Sequence, residues 1–274
     1  MGPGHQGGQH QGGLMASEIL VERGDGATAV VTINRPHRRN ACDFAAWTDL
    51  KTAFEQLGAD PAVKLVVLTG AGGHFCAGDD IVAFAPVRDN TAQADVWRAR
   101  IQECYAAVQS MPKPVIAALQ GVCVGGGCSL AMCCDFRVAD GSARVGVPVA
   151  KLGLVYPTIQ LQRLAWLIGA SNARRWLYEA GIYDSDECER VGFIDRRTDG
   201  NVVAAALEFG REMALAAPLS IAGAKAQLNA VLAGQVEQRR AELDAMVRRA
   251  DESDDFREAM RAFREKRPPR FQGR

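Results

Sequence analysis

Three consecutive glycines, at residues 125–127, follow an apolar strand pattern and precede a run of small and apolar residues. The surrounding stretch, residues 120–135, has the sequence QGVCVGGGCSLAMCCD. Glycine lets the backbone approach another group closely, and residues 128–134 predict the start of a buried helix. A glycine turn that leads into a helix N-terminus can hold a developing negative charge. Tight packing of a strand against a helix is the alternative explanation for these glycines.

A second loop with glycines, GAGGHFCAGDD at residues 70–80, also follows an apolar strand pattern. Both loops precede predicted helices. If the loops converge, two backbone N–H groups can point at one oxygen atom, which is the arrangement of an oxyanion hole. Backbone donors require the freedom of glycine rather than a particular side chain, so any acid–base group must come from other residues.

The composition argues against several classes of protein. Lys+Arg and Asp+Glu both number 32 in a chain of 274 residues, and the resulting zero net charge disfavours a nucleic-acid binder or a binder of anionic membranes. No apolar run approaches the roughly 20 residues that span a bilayer, and the start lacks the apolar core of a signal peptide. The cysteines form no CxxC pair, so we expect reduced thiols, no metal site and a cytoplasmic protein.

The order of predicted strands and helices is typical of an α/β protein. Apolar and β-branched runs predict strands at residues 18–21, 27–34, 64–69, 115–119 and 136–139. The RGDG sequence between the first two strands predicts a hairpin turn. Asp43 predicts the N-cap of a helix that runs through Leu57.

Helices dominate the predicted structure of the later part of the chain. A helix at residues 92–110 should have an apolar face made of Val96, Trp97, Ile101, Tyr105 and Val108. Beyond residue 158 the pattern is mainly helical. It predicts helices at 201–216, 219–232 and 236–249, and a last helix capped by Asp254. We expect three parts, which are a disordered leader or expression remnant at 1–14, an α/β core at 15–200 and a helical domain at 201–274.

Five segments together resemble the crotonase superfamily, the enoyl-CoA hydratase/isomerase family. They are INRPHRRNA (33–41), VVLTGAGGHFCAGDDI (66–81), KPVIAALQGVCVGGGCSLAMCCDFRVA (113–139), PVAKLGLVYP (148–157) and DFREAMRAFREKRPPRF (255–271). Their order and spacing carry the resemblance, which runs from about residue 17 to the C-terminus. It implies an α/β fold with a crotonase-type ββα spiral core and a C-terminal helical trimerisation domain, assembled as a homotrimer or as a hexamer of paired trimers.

The resemblance also implies the substrate, an acyl-CoA thioester whose enolate is stabilised in an oxyanion hole. The donors at the matching positions are the N–H groups of Asp79 and Gly126. CoA is part of the substrate, so no separate cofactor is implied. The matching CoA-binding residues are Arg39, Ala77, Asp80, Ile81, Phe263 and Lys266, the last two contributed by a neighbouring subunit. A solvated surface charge is the alternative for Arg39 and Lys266.

The chain departs from the family pattern at two positions. Hydratases of the family use two glutamates to position and activate water, and this chain has Ser129 and Val149 at those positions. Ordinary two-glutamate hydration is therefore not expected, although Ser129 could orient a water molecule. Tyr156 matches a tyrosine of family members that decarboxylate methylmalonyl-CoA. Val149, Val155 and Pro157 would then give its hydroxyl an apolar lining.

Three functions remain open at this point. The first is an acyl-CoA-processing enzyme of the hydratase/isomerase family, and the second is a malonyl-type acyl-CoA decarboxylase that uses Tyr156. The third is a catalytically vestigial protein that binds CoA or associates with RNA. The zero net charge and the intact glycine loops both argue against this third function. We further expect the Asp79 side chain to face solvent and His74 to lie on the loop surface.

Overall fold

The computed structural model describes residues 17–274, so the predicted leader at 1–14 lies outside the described residues. The described part has a six-stranded sheet with the strand order β1-β2-β3-β4-β6-β9. Its strands are β1 (Ile19–Gly24), β2 (Thr28–Ile33), β3 (Leu65–Gly70), β4 (Val115–Leu119), β6 (Phe136–Asp140) and β9 (Arg196–Thr198). A second sheet has the order β5-β7-β8. Its strands are β5 (Val122–Val124), β7 (Arg144–Gly146) and β8 (Ile182–Asp184).

The first sheet is parallel except for the hairpin of β1 and β2. Every residue of β3 and β4 is buried, as expected for parallel strands that are covered by helices on both faces. The predicted α/β class and the predicted hairpin are therefore confirmed.

The helices of the described residues alternate with these strands and then follow one another. They are α1 (Phe44–Ala59), α2 (Ile81–Phe84), α3 (Thr91–Ser110), α4 (Gly126–Cys133), α5 (Thr158–Glu179), α6 (Ser185–Arg190), α7 (Val202–Leu215), α8 (Pro218–Ala233), α9 (Val236–Asp251) and α10 (Asp254–Glu265). The segment Pro148–Leu152 forms a 3₁₀ helix between β7 and α5.

The helix caps confirm one prediction and correct another. Asp43 caps α1, since its carboxylate accepts a hydrogen bond of 2.9 Å from the backbone N–H of Ala46. The cap of α10 is Ser253, whose hydroxyl accepts from Phe256 N–H at 3.0 Å. The prediction of Asp254 was wrong because the extended residue before a helix is the one that caps it, and Asp254 is already the first helical residue.

The buried face of α3 differs from the predicted one by a single residue. Trp97, Tyr105 and Val108 are buried as predicted, and Ile101 is half-buried against the same core. Val96, however, is 59% exposed. One residue turns the helix by about 100°, so Val96 points away from the face that Trp97 occupies.

The core lies in two layers, one on each face of the first sheet. The larger layer packs β2, β3 and β4 against the buried faces of α1, α3, α4 and α5. The smaller layer is covered by α7, which buries Val202, Ala206 and Ala214 against the other face. A Cβ atom on Gly210 of α7 would lie 2.5 Å from Leu65 Cδ2, so α7 approaches the sheet closely.

The helices after α7 fold back on the core of their own chain. Lys225 Nζ of α8 pairs with Asp135 Oδ2 at 2.7 Å, and Asn229 Nδ2 donates to the Gln109 carbonyl at 3.2 Å. The division of the chain at residue 200 stays a prediction. Within residues 17–274, no helix has both the length and the apolar composition needed to cross a bilayer.

Candidate active site

The two glycine loops converge beside the first sheet. Cys76 N–H donates to the Val122 carbonyl at 3.0 Å, and Val124 N–H donates to the Cys76 carbonyl at 3.1 Å. The approach is close enough to require glycine at residue 127, because a Cβ there would lie 2.0 Å from the Cys76 carbonyl oxygen. The glycine triplet therefore allows the two loops to approach each other closely, and it also forms the start of α4.

Two backbone N–H groups lie side by side at this junction. A Cβ on Gly126 would lie 3.3 Å from Asp79 N, and a Cβ on Gly78 would lie 2.7 Å from Gly126 N. Gly78 has a φ of 95° and Gly125 a φ of 54°, so both use the left-handed region that favours glycine. Within residues 17–274, neither Asp79 N–H nor Gly126 N–H donates to a protein acceptor. Two adjacent unpaired donors can bind one anionic oxygen.

Three hydroxyl groups surround the start of α4. Tyr105 OH donates to the Gly126 carbonyl at 2.9 Å. The buried hydroxyls of Ser129 and Tyr156 are hydrogen-bonded to each other, and Ser129 Oγ also donates to the Gly125 carbonyl at 3.3 Å. Burial raises the pKa of the Tyr105 and Tyr156 phenols well above their usual value. Both phenols are therefore neutral near pH 7 and can donate a hydrogen bond but not act as bases.

The side chain of Asp79 is half-buried and hydrogen-bonded within the protein, whereas the sequence predicted that it faces solvent. Its Oδ1 accepts hydrogen bonds from Trp47 Nε1 at 3.1 Å and from Trp97 Nε1 at 2.9 Å. Both tryptophans are buried, and a buried indole N–H requires an acceptor. Burial raises the pKa of the Asp79 carboxyl, although the two indole hydrogen bonds act in the opposite direction.

The two positions of the missing carboxylates have different surroundings, and only Ser129 is hydrogen-bonded to Tyr156. Ser129 is buried in α4, and Val149 packs half-buried against the core from the 3₁₀ helix. The apolar lining predicted for Tyr156 is incomplete, because Val155 is 92% exposed and Pro157 is also exposed. Residues 150–155 are all exposed, and Gly153 within this stretch has a φ of 67°. The prediction that Val155 and Pro157 line the Tyr156 hydroxyl was therefore wrong for a single copy of the chain.

The residues predicted to contact CoA cluster around the first glycine loop. Arg39 is exposed, and its carbonyl accepts from Ala77 N–H at 3.0 Å, so these two residues are adjacent. Ile81 is exposed at the start of α2. Asp80 is buried instead, since it caps α2 and pairs with Arg35 Nη2 at 3.4 Å.

The two remaining residues predicted to bind CoA lie far from this loop in sequence, on and just after α10. Phe263 is 82% exposed on α10, and Lys266 is exposed at the C-terminal cap of the same helix. His74 is half-buried and its Nδ1 accepts from Val122 N–H at 3.2 Å, so it joins the two loops and does not lie on the loop surface.

In the described part of the chain, no group of three or more His, Cys, Asp or Glu side chains could hold a metal ion.

The sequence did not indicate that Trp47, Trp97 and Tyr105 belong to the site. Trp97 and Tyr105 were predicted on one face of α3, but nothing in the sequence connected that face to the glycine loops. For Trp97 and Tyr105, the one available signal is their spacing of eight residues. It places both side chains along one side of the helix that follows the first loop.

Comparisons with known proteins agree on one family. The family model of enoyl-CoA hydratase/isomerase matches residues 23–274. The chain is 37% identical to a crotonyl-CoA hydratase from Syntrophomonas wolfei over 66% of this chain and 70% of that protein. It is 30% identical to a short-chain-enoyl-CoA hydratase from Clostridium acetobutylicum over 92% of this chain and 96% of that protein.

A solved structure extends the similarity to the fold. The crystal structure of an enoyl-CoA hydratase/carnithine racemase from Magnetospirillum magneticum has a TM-score of 0.86 and 35% identity, over 95% of this chain and 97% of that one. This similarity confirms the predicted crotonase-type fold with its C-terminal helices. The chain therefore belongs to the enoyl-CoA hydratase/isomerase family, whose members are acyl-CoA-processing lyases and isomerases.

Proposed function

We propose that this protein binds an acyl-CoA thioester and stabilises the enolate of its acyl group. The thioester oxygen accepts hydrogen bonds from Asp79 N–H and Gly126 N–H. The observation that carries the proposal is the pair of adjacent, unpaired donors on two loops that meet at Cys76 and Gly127. One such donor is typically worth about 3–4 kcal/mol in the transition state.

The CoA moiety lies along the first glycine loop in this proposal. Arg39 supplies a positive charge for the phosphates, while Ala77 and Ile81 line the pantetheine path. Asp80 contributes by holding the start of α2, as its hydrogen bonds to Val82 and Ala83 indicate. CoA is part of the substrate, and no separate cofactor enters the reaction.

A homotrimer, or a hexamer of two trimers, completes the CoA site. Phe263 and Lys266 of a neighbouring copy would reach the adenine end of CoA. Both residues are exposed at the C-terminal end of α10, so they are available for this contact. The exposed apolar residues Leu228, Val231 and Leu232 of α8 offer a surface for such an assembly.

Ordinary hydration of enoyl-CoA is not the favoured reaction. General acid–base groups typically contribute about 10²–10⁴-fold each, and Ser129 and Val149 replace both carboxylates that would position and activate water. Hydration of crotonyl-CoA should therefore be at least about 10²-fold slower than with the Clostridium acetobutylicum short-chain-enoyl-CoA hydratase, measured side by side. Equal rates would refute this part of the proposal.

Decarboxylation of a malonyl-type acyl-CoA is the reaction that the hydroxyl pair favours. The bond between the α-carbon and the carboxylate breaks, CO₂ leaves, and the electron pair passes into the enolate whose oxygen the two N–H groups hold. A proton then adds to the α-carbon and gives the shorter acyl-CoA. The departure of CO₂ needs no base, and the buried, hydrogen-bonded Tyr156 and Ser129 hydroxyls can orient the carboxylate.

One screen tests the whole proposal. The protein is incubated with crotonyl-CoA, malonyl-CoA and methylmalonyl-CoA, and mass spectrometry detects gain of water or loss of CO₂. We expect loss of CO₂ that falls at least about 10-fold in Tyr156→Phe and is unchanged in Tyr178→Phe, a matched control because Tyr178 is exposed. No change in any thioester, together with no acyl-CoA binding by calorimetry, would overturn the proposal and leave the vestigial CoA- or RNA-associated protein.

A further inference from the structure

The Asp79 carboxylate is held in an asymmetric way. Both indole donors, Trp47 Nε1 and Trp97 Nε1, bind the same oxygen, Oδ1. Among residues 17–274, no group donates to Oδ2, and no Lys or Arg side chain pairs with the carboxylate. One oxygen is thus fixed by neutral donors, while the other is free to bind a proton.

The two indoles that hold Asp79 are themselves immobilised by aromatic packing. The Trp97 ring packs against Phe44 with centroids 5.7 Å apart and against Phe84 at 5.4 Å. The Trp47 ring meets Tyr105 edge-on at 5.6 Å. A carboxylate with two rigid donors on one oxygen has few orientations open to it, and such preorganisation is what a proton-transfer group requires.

The same aromatic cluster borders the proposed oxyanion hole. Trp47 donates to Asp79 and contacts Tyr105, whose hydroxyl donates to the Gly126 carbonyl at 2.9 Å. Asp79 N–H and Gly126 N–H are the two proposed donors, so one residue supplies both a donor and a carboxylate. The proposed donor N–H and the carboxylate thus belong to the same residue, beside the Trp47–Tyr105 contact.

Ser129, Tyr156 and Val149, the other residues considered for this chemistry, offer no ionised base near pH 7. Ser129 is a hydroxyl, and Tyr156 is a phenol whose pKa burial raises. Val149 has no ionisable group. Burial also raises the pKa of Asp79, and the nearby Asp80 acts in the same direction. A raised carboxyl pKa makes the group a stronger base once it is ionised.

We propose that the Asp79 carboxylate is a catalytic proton-transfer group, which exchanges a proton with the carbon next to the thioester carbonyl. The proton leaves this carbon for Oδ2, and the C–H electron pair passes into the enolate held by Asp79 N–H and Gly126 N–H. The reverse step returns a proton to carbon and restores the thioester. The inference rests on the proposed enolate stabilisation and adds the group that moves the proton.

Hydrogen–deuterium exchange into butyryl-CoA tests the inference without any net reaction. Wild-type protein in D₂O should introduce deuterium at the α-carbon, measured by mass spectrometry. Asp79→Asn keeps the backbone N–H and the oxygen that accepts from both indoles, but it cannot take up a proton. We expect its exchange rate to fall about 10²–10⁴-fold. Asp89→Asn, a change at an exposed aspartate, should exchange like the wild type.

A measurement of butyryl-CoA binding distinguishes a role of Asp79 in proton transfer from a structural role. If Asp79 acts in proton transfer, Asp79→Asn should bind butyryl-CoA within about threefold of the wild-type Kd in calorimetry while exchange is lost. Exchange that persists at the wild-type rate in Asp79→Asn would overturn the inference.

Loss of CO₂ from malonyl-CoA in the wild type distinguishes the two proposals. If the wild type releases CO₂ but exchanges no deuterium, enolate stabilisation stands and the role of Asp79 is refuted. If it does neither, the proposed function itself fails.

Discussion

Replacing Gly127 by alanine should separate the two loops of the site. A Cβ at residue 127 would lie 2.0 Å from the Cys76 carbonyl oxygen and 2.9 Å from Cys76 Cβ. Ordinary van der Waals contact begins near 3.4 Å, so the carbonyl would have to retreat by about 1.4 Å. The same carbonyl accepts the hydrogen bond from Val124 N–H that joins the loops, and this bond would be strained or lost.

The cost follows from the type of atom that must move. Overpacking a core costs about 1–3 kcal/mol, and the upper value applies here because the obstacle is backbone rather than a flexible side chain. A loss of about 3 kcal/mol in the free energy of unfolding lowers the Tm of a chain of this size by about 6–12 °C. A displacement near 1 Å in a site can also reduce the rate about 10²-fold, so CO₂ release should fall by that factor.

Thermal unfolding by circular dichroism and the mass-spectrometric assay measure the two effects. Gly223→Ala in α8 is the matched control, because a Cβ there meets nothing within 4 Å. Alanine in a helix interior is favoured over glycine by up to about 1 kcal/mol, so the control should be at least as stable as the wild type. If Gly127→Ala unfolds at the same temperature as Gly223→Ala, the close approach of the loops is wrong.

Three further predictions concern stability and reactivity. Ser253→Ala should lose about 1 kcal/mol of stability in denaturant unfolding, whereas an equal loss in Asp254→Ala would contradict the cap of α10. Arg190 holds the pKa of Glu187 at about 2, so the stability it contributes is present above the unfolded pKa of about 4.3 and is lost as the pH falls towards 2. The Tm of Glu187→Gln should fall less steeply than that of the wild type over this range, and parallel curves would refute the linkage. All eight cysteines are buried, so a thiol reagent should titrate them only after unfolding, and rapid labelling of the native protein would count against the core.

The sequence predicted those elements whose signal is local. β3 and β4 consist mainly of apolar residues and are buried at every position, and Asp43 caps its helix through a hydrogen bond within one turn. The short strands β5, β7, β8 and β9 were missed because each has only three residues. Strand β9 has the polar sequence RRT, and only pairing with β6 makes it a strand.

The position of the site could be predicted, but the direction of its side chains could not. The glycines mark where the backbones meet, because that requirement is written in the residues themselves. The partners of Asp79 are 32 and 18 residues away along the chain, on helices α1 and α3. No local pattern distinguishes a tryptophan that donates to Asp79 from one that only fills the core. The sequence therefore predicted that the Asp79 side chain faces solvent. The exposure of Val155 depends in the same way on how the whole exposed stretch 150–155 lies on the core.

The cover that α7 provides for the sheet has a consequence during protein synthesis. Strands β3, β4 and β6 leave the ribosome well before Val202–Leu215, yet Leu65, Ile116 and Val138 depend on that helix for burial. A nascent chain that ends before residue 202 therefore carries a parallel sheet with one bare apolar face, which is a target for chaperones and for aggregation. A slow stretch of translation just before α7 would lengthen that exposure.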